Sequence, residues 1–314
     1  MTSNARAWFV GSGSFAAMCL ARMSAGVRFE RVITGLPTAA GRGLGSRPSR
    51  VEEECTSNGI PVERTGPISE NNALLTALLT DPPDAIFVVD FGQVIREPML
   101  SAPAWGCLNV HPSMLPRLRG AAPVQRALMN GDASTGVTVF RLVEEMDAGP
   151  VMLQEELPIP PDATGAEVFA SLADRGGELA VRALGALSRG ELRAVPQNGA
   201  AATYARKLDK AEAHVSWTWS AERIHNTVRA FDFSTGAFVT TGAGKRLKLW
   251  RVSPEADENT SANPGTVLCL ADDPIIICGR EALRLLEVQA EGKRRMSGAE
   301  WARGARLEAG SMII

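Results

Sequence analysis

Only three histidines occur in the 314 residues, His111, His214 and His225, so a role needing a near-neutral acid or base has few candidates. His111 follows Asn109 by two residues in CLNVHPSMLP, an apolar run that ends in prolines. Side chains two apart on a strand point to the same face, which puts a carboxamide and an imidazole side by side at a strand end. Downstream, Asp147 sits in EEMDAGP, a turn between two apolar stretches. Attack of an amine on a carbonyl-like carbon needs an oxyanion stabiliser, a proton carrier and a carboxylate to hold the imidazole. Asn109, His111 and Asp147 supply one each. A plainer reading stands beside this one, with Asn109 a turn former, His111 a cap on the sheet and Asp147 an ordinary turn aspartate.

The elements around these residues predict where they lie. AWFV, FERVIT, IPVE, AIFVVD and CLNVH read as strands separated by the helical stretches after Gly11-Ser12-Gly13-Ser14, VEEECTSN and ALLTALLT, the alternation of a doubly wound α/β domain with a mostly parallel, Rossmann-like sheet. Ligands of such sheets bind outside the carboxyl ends of the strands, where Asn109 and His111 fall. GLPTAAGRGLGSRPSR carries enough Gly and Pro to rule out regular structure. GVTVFRLV and VMLQEELPI add two strands. A capping box at Thr164 and Glu167 opens a long amphipathic helix, and Ser297 and Glu300 form a second box.

We expect the first domain to cover residues 1–188, a linker 189–205, and a second domain 206–314. In the second, GAFVTT, RLKLWRV, GTVLCL, PIIIC and ALRLLEV read as the strands of a small open β-barrel, OB-like, after a helix from Ser220 to Phe231. From residue 203 onward there are 16 Lys and Arg against 14 Asp and Glu, compared with 17 against 21 before it, so the second domain is mildly basic. The whole chain has a net charge of -2, which argues against coating nucleic acid or membrane by bulk charge. The five cysteines are scattered without a C-x-x-C pair, pointing to neither a disulfide framework nor a zinc site. No run of about 18 apolar residues occurs. The expectation is a cytoplasmic, metal-free monomer.

The run NVHPSMLPRLRGAAPVQRALMNGDASTGVTVFRLVEEMDAGPVM resembles the formyltransferase signature N-x-H-x-S-x-L-P-x-x-R-G with D-x-G downstream. AAGRGLGSRPS, ATYARKLDKAEAHVSW, PGTVLCL and KRRMSGAEWARG extend the resemblance over nearly the whole chain, toward the family's methionyl-tRNA branch. That resemblance implies 10-formyltetrahydrofolate as donor, the methionyl group of initiator tRNA as acceptor and no metal. It assigns Asn109, His111 and Asp147 to catalysis, with Asn109 on the formyl oxygen. The donor would meet Ser113, Leu115 and Pro116, and also Phe91, Gly92, Gln93 and Val94 at another strand end. The resemblance places tRNA on Gly41, Arg42, Arg47 and Arg50 of the insertion loop, which is poorer in lysine than the family pattern. Lys207, Lys210, Lys245, Arg246, Lys248, Lys293, Arg294 and Arg295 are basic positions along which an RNA backbone could track. RAFDFSTGAF departs from the family, which has a proline- and tryptophan-containing turn there.

Other readings share parts of this pattern. Nucleotide-sugar N-formyltransferases and formyltetrahydrofolate hydrolases would use the same three residues on another acceptor. A non-catalytic tRNA-binding module would account for the barrel alone. Gly11-Ser12-Gly13-Ser14-Phe15-Ala16 also matches a relaxed dinucleotide fingerprint, although the second strand ends Ile33-Thr34-Gly35 without the acidic residue that would bind a ribose.

Overall fold

A computed structural model describes residues 5–40, 45–242, 244–256, 262–270 and 272–313. The chain divides into two compact units: residues 1–123, 134–158 and 169–205 form one, and residues 124–133, 159–168 and 206–314 the other.

The first unit is built on a seven-stranded sheet ordered β5-β2-β1-β6-β7-β8-β9. Its strands are β1 (Ala7–Gly11), β2 (Phe29–Gly35), β5 (Glu63–Thr65), β6 (Ala85–Val89), β7 (Cys107–His111), β8 (Ser134–Arg141) and β9 (Val151–Pro158). The first five in the sheet are parallel; β8 and β9 run antiparallel to their neighbours. AWFVG and AIFVV are buried at every residue, as central strands covered on both faces must be. Around them lie α1 (Ser14–Met23), α2 (Arg50–Asn58), α3 (Asn72–Thr80) and most of α5 (Gly165–Ser188). The capping box opening α5 is complete: Glu167 N–H donates to Thr164 Oγ1 (3.2 Å) and Thr164 N–H to Glu167 Oε2 (2.8 Å).

Two local expectations are corrected. The strand expected at IPVE starts at its last residue, Glu63: Pro61 has no N–H to offer a ladder. The stretch expected to lack regular structure contains a short hairpin, β3 (Thr38–Ala40) paired antiparallel with β4 (Gly45–Arg47). Pro37 and Pro48 flank these strands rather than interrupt them, so no ladder donor is lost.

The second unit carries an antiparallel sheet. Its strands are β10 (Ala237–Thr240), β11 (Arg246–Glu255), β12 (Val267–Cys269), β13 (Ile275–Ile277), β14 (Ala282–Ala290) and β15 (Met296–Ser297), in the order β10-β11-β14-β13-β12 with β15 on β14. The fold class read from the sequence therefore holds: a mostly parallel α/β sheet followed by a smaller antiparallel β unit. Helix α6 (Ala221–Phe231) is capped by Ser220, whose Oγ accepts from Arg223 N–H (3.2 Å). Helix α7 (Gly298–Ala305) keeps half of its expected box. Ser297 accepts from Glu300 N–H, but the Glu300 carboxylate turns to Arg294 (2.7 Å), a bond in which both partners are charged. Among the described residues no helix is long and apolar enough to cross a membrane.

A bidentate ion pair fastens α4 (Pro123–Asn130) within the second unit. Arg126 reaches Glu212 through Nη1 (2.6 Å) and Nη2 (2.9 Å). Mainly through these bonds, the Glu212 carboxyl is held down at about 2, against an ordinary 4.5. The folded value lies below the unfolded one, so this stabilisation is present above pH 4.5 and is lost as pH falls toward 2. We expect Arg126→Ala to lose about 1–3 kcal/mol at pH 7. Denaturant titrations of both proteins should show that difference narrowing below pH 4.5; a gap that stays constant to pH 3 would contradict it.

Candidate active site

Asn109 and His111 lie on one face of β7, where it meets antiparallel β8. Asn109 stands opposite Phe140 and His111 opposite Thr138. Thr138 in turn faces Gln154 on β9, so His111, Thr138 and Gln154 form a row across three strands. The His111 ring packs edge-on against Phe140, centroids 6.4 Å apart. Asn109 is half-buried and makes no side-chain hydrogen bond among the described residues, leaving its amide donors unengaged.

His111 is 5% exposed. Its Nε2 lies 3.0 Å from the carbonyl oxygen of Leu118. A carbonyl only accepts, so Nε2 carries the proton and Nδ1 of the neutral ring presents a lone pair. Nδ1 faces Asp147 Oδ2 at 3.8 Å, beyond a hydrogen bond. That same oxygen accepts from Gly120 N–H at 2.7 Å. The tautomer is thus set by the backbone of Leu118, and Asp147, expected to hold the imidazole, does so without a hydrogen bond to it. Burial lowers the imidazole pKa, and the Asp147 charge and the Leu118 carbonyl oppose this without cancelling it. The ring is therefore a neutral base with a free lone pair.

The loop after His111 is fixed by saturated hydrogen bonding. Thr138 Oγ1 donates to the carbonyl of Ser113 (2.7 Å) and accepts from Leu115 N–H (3.2 Å) and Gln154 Nε2 (2.9 Å). Gln154 Nε2 also donates to the carbonyl of Leu115 (2.7 Å), and Ser113 Oγ donates to that of Arg117 (2.6 Å). The loop approaches residue 205 closely at Gly120. Its φ is +115°, and a Cβ there would stand 2.9 Å from the carbonyl oxygen of Ala205, so only glycine fits. Leu118 and Asp147 are held at φ +57° and +52°, a conformation uncommon for residues with a Cβ.

The residues expected to meet the donor divide into two groups. Ser113, Leu115 and Pro116 belong to the loop just described. Phe91, Gly92 and Gln93 line a cleft of about 880 Å³ outside the ends of β1, β2, β5 and β6, while Val94 is exposed and does not line it. Gln93 holds the opposite wall, accepting from Ile68 N–H (2.8 Å) and donating to the carbonyl of Gly66 (3.1 Å).

The Gly11-Ser12-Gly13 turn borders this cleft, and its helix end is already occupied. The Asp90 carbonyl accepts from Ser12 N–H (3.1 Å) and Gly13 N–H (2.9 Å), and Asp90 Oδ2 accepts from Phe15 N–H (3.3 Å). A Cβ on Gly13 would meet that carboxylate at 1.8 Å. Where a dinucleotide site would have an acidic residue, Thr34 Oγ1 lies 3.2 Å from Ser12 Oγ and 2.6 Å from Ser49 Oγ. These contacts disfavour the nicotinamide reading.

Of the residues expected to meet tRNA, Gly41 and Arg42 lie outside the described residues. Arg47 and Arg50 both pair with Glu53 (3.4 and 2.6 Å). In the second unit, Arg246 lies over Phe238 (4.7 Å), while Lys248 and Arg295 lie over Trp250 (5.4 and 3.4 Å), and His214 stacks on Phe238 (5.0 Å). This cluster unites three of the expected cations with His214 and adds two rings, Phe238 and Trp250, to which the sequence analysis assigns no role. Arg294 pairs with Glu300 (2.7 Å). Lys207, Lys210, Lys245 and Lys293 are exposed outside this ring-centred group. Among the described residues no three His, Cys, Asp or Glu side chains are grouped to hold a metal ion.

Residues 7–184 match the family described as formyl transferase, and residues 207–306 match the formyl transferase C-terminal domain. Over 310 residues the chain is 40% identical to a methionyl-tRNA formyltransferase of Parvibaculum lavamentivorans, covering 97% of this chain and 98% of that one. It is 39% identical over 306 residues to one from Methylobacterium sp. (strain 4-46), with 97% and 98% covered. Among solved structures, HypX from Aquifex aeolicus in complex with tetrahydrofolic acid shares the fold, with a TM-score of 0.62, 20% identity, and 96% of this chain and 47% of that one covered. So does WlaRD, a sugar 3N-formyl transferase, with a TM-score of 0.63, 17% identity, and 92% and 99% covered.

The geometry of His111 is open to direct measurement. We expect imidazole NMR to find Nε2 protonated and Nδ1 bare in the neutral ring, with a pKa below the ordinary 6.5. Asp147→Asn should lower that pKa further, because it removes the charge that raises it. A value above 6.5, or a proton on Nδ1, would show that burial does not dominate.

Proposed function

Because this chain belongs to the formyl transferase family, and resembles methionyl-tRNA formyltransferases over nearly its whole length, we propose that it transfers the formyl group of 10-formyltetrahydrofolate to the α-amino group of methionyl initiator tRNA. The observation that carries the chemistry is the meeting of Asn109, His111 and Asp147 at one strand end, within 3.8 Å for the imidazole and the carboxylate.

In this reading the amine nitrogen attacks the formyl carbon, a carbon–nitrogen bond forms, and the bond from that carbon to the folate nitrogen breaks. The unengaged amide of Asn109 donates to the formyl oxygen as negative charge develops there. His111 accepts the amine proton on Nδ1 and returns it to the departing folate nitrogen. Its Nε2–H stays on the Leu118 carbonyl throughout, so one nitrogen anchors while the other exchanges protons. Asp147 stabilises the imidazolium that exists between these two transfers.

The cleft at Phe91, Gly92 and Gln93 and the loop at Ser113, Leu115 and Pro116 are the surfaces assigned to the donor. For the tRNA, the group of Arg246, Lys248 and Arg295 around Phe238 and Trp250 is favoured, since cations braced on rings present charge to phosphates with little rotamer freedom left to lose. Arg47 and Arg50 share one carboxylate and offer correspondingly less. The full-length relatives favour tRNA over an amino-sugar nucleotide as acceptor.

The test is incubation with radiolabelled formyl donor and either charged initiator tRNA or an amino-sugar nucleotide. Label should appear on the aminoacyl group alone; label on the sugar alone would overturn the acceptor assignment. Asn109→Ala should lower kcat by about 10²–10³. Asp147→Ala should also lose turnover at saturating substrates, and wild-type turnover in either variant would refute its assigned role.

A further inference from the structure

Residues 195–205, expected from their composition to be part of a linker, are bonded instead along the catalytic loop. Val195 and Val151 exchange both backbone hydrogen bonds (2.8 Å each). Thr203 donates its N–H to the carbonyl of Pro116 (3.2 Å), accepts Leu118 N–H on Oγ1 (2.9 Å) and accepts Arg119 N–H on its carbonyl (2.9 Å). Ala205 exchanges bonds with Arg119 and Ala122 (2.7 and 3.1 Å). The strap therefore fixes the segment whose Leu118 carbonyl receives the His111 proton.

Gln197 lies between these anchors, and its amide bonds both the turn that carries Asp147 and the guanidinium of Arg119. Nε2 donates to the carbonyls of Asp147 (2.8 Å) and Gly149 (2.7 Å). Oε1 accepts from Nε (3.2 Å) and Nη2 (2.9 Å) of Arg119. Arg119 is buried and uses Nη1 on Glu145 (3.2 Å). Glu145, Asp147 and Gly149 belong to one turn, which is thus gripped at three points by one amide and one guanidinium. Asp147 sits in that turn at φ +52°, a conformation uncommon for a residue with a Cβ that outside bonds help to hold. The two acceptors and the guanidinium also fix which end of the amide points which way.

We propose that Gln197 is a positioning residue for the reaction, holding the Asp147 carboxylate against the imidazole of His111. This rests on the formyl-transfer reading, but the geometric part can be tested without it.

Gln197→Met keeps the length of the side chain and removes all four bonds. With wild-type substrates we expect kcat to fall at least about tenfold and KM for donor and tRNA to change less than about twofold. The His111 titration followed by imidazole NMR should move to lower pH, toward that of Asp147→Asn, because Asp147 is the charged group acting on this ring. In the Asp147→Asn background the same substitution should add little to either effect, since residues that act as a unit are non-additive. A purely structural role would lower thermal stability and the active fraction with an unmoved titration, and losses that multiply with those of Asp147→Asn would equally overturn the proposal. If Gln197→Met does not fold, Gln197→Asn, one methylene shorter, is read in the same way. A wild-type protein without formyl transfer would defeat the functional reading, while the NMR comparison would still decide whether Gln197 positions Asp147.

Discussion

A neutral imidazole can be buried as a working base only if its N–H has an acceptor and its lone pair does not. An unpaired buried N–H costs about 1–3 kcal/mol, and an N–H left to choose between two ends of the ring gives a mixture of tautomers. The Leu118 carbonyl resolves both problems for His111. Because that acceptor is a backbone atom seven residues downstream, the whole loop from Ser113 to Gly120 must be held still for the ring to be useful. Much of the structure around the site is accounted for by this requirement.

The reversal of strand direction in the sheet meets it. From β5 to β7 the strands are parallel, and the cleft lies outside the carboxyl ends of β1, β2, β5 and β6. Between β7 and β8 they are antiparallel, which brings Thr138 directly across from His111 and lets its hydroxyl, with Gln154 beyond it, tie the loop backbone to the sheet. A parallel neighbour would run its carboxyl end alongside that of β7. The antiparallel one feeds instead into the β8–β9 turn that carries Asp147, so loop anchor and carboxylate come from one hairpin, paired beside the strand that carries the base. The same turn is strained at Asp147, and the strain is balanced by bonds from residues 119 and 197, far apart in sequence.

How much of this could be read beforehand follows from the range of each interaction. Asn109 and His111 were legible as neighbours because strand alternation is a period of two and the prolines after them mark the strand end. The two capping boxes were legible as local signals, although Arg294 takes over the Glu300 half of the second. The β3–β4 hairpin was misread because Gly and Pro were weighed over the whole stretch, and both prolines stand outside the paired residues. Thr138, Gln154, Gln197 and the Leu118 carbonyl could not be found from the sequence. Their importance depends on strand register and on bonds spanning up to 78 residues, and a backbone carbonyl carries no signature at all. The cations were legible only as cations: the sequence does not tell that Arg295 rests on Trp250 while Arg47 and Arg50 converge on Glu53.

The glycine-rich turn after β1 illustrates how one topology separates from another by a single carboxylate. A free helix N-terminus with exposed N–H groups attracts phosphate, and the sequence Gly11-Ser12-Gly13 would serve it. Here Asp90, at the end of the neighbouring strand β6, turns its own carboxylate onto the first turn of α1 and its carbonyl onto Ser12 and Gly13. Burial raises the pKa of this carboxyl, and the hydrogen bond from Phe15 works against that rise. Gly13 is then needed for the space the Asp90 carboxylate occupies, rather than for close approach of a pyrophosphate. The cleft beyond is bordered by Ser12 and Ser49, and the buried Thr34 hydroxyl behind them contacts both in place of an acidic ribose ligand. Strand ends on the parallel side of the sheet thus border the cleft, whose lining includes Ser12, Ser49, Arg47, Arg50 and Asp90, and those on the antiparallel side build the proton-handling group. The two lie at β6 and β7, adjacent strands of one sheet, so strand spacing contributes to the separation of the cleft from the imidazole.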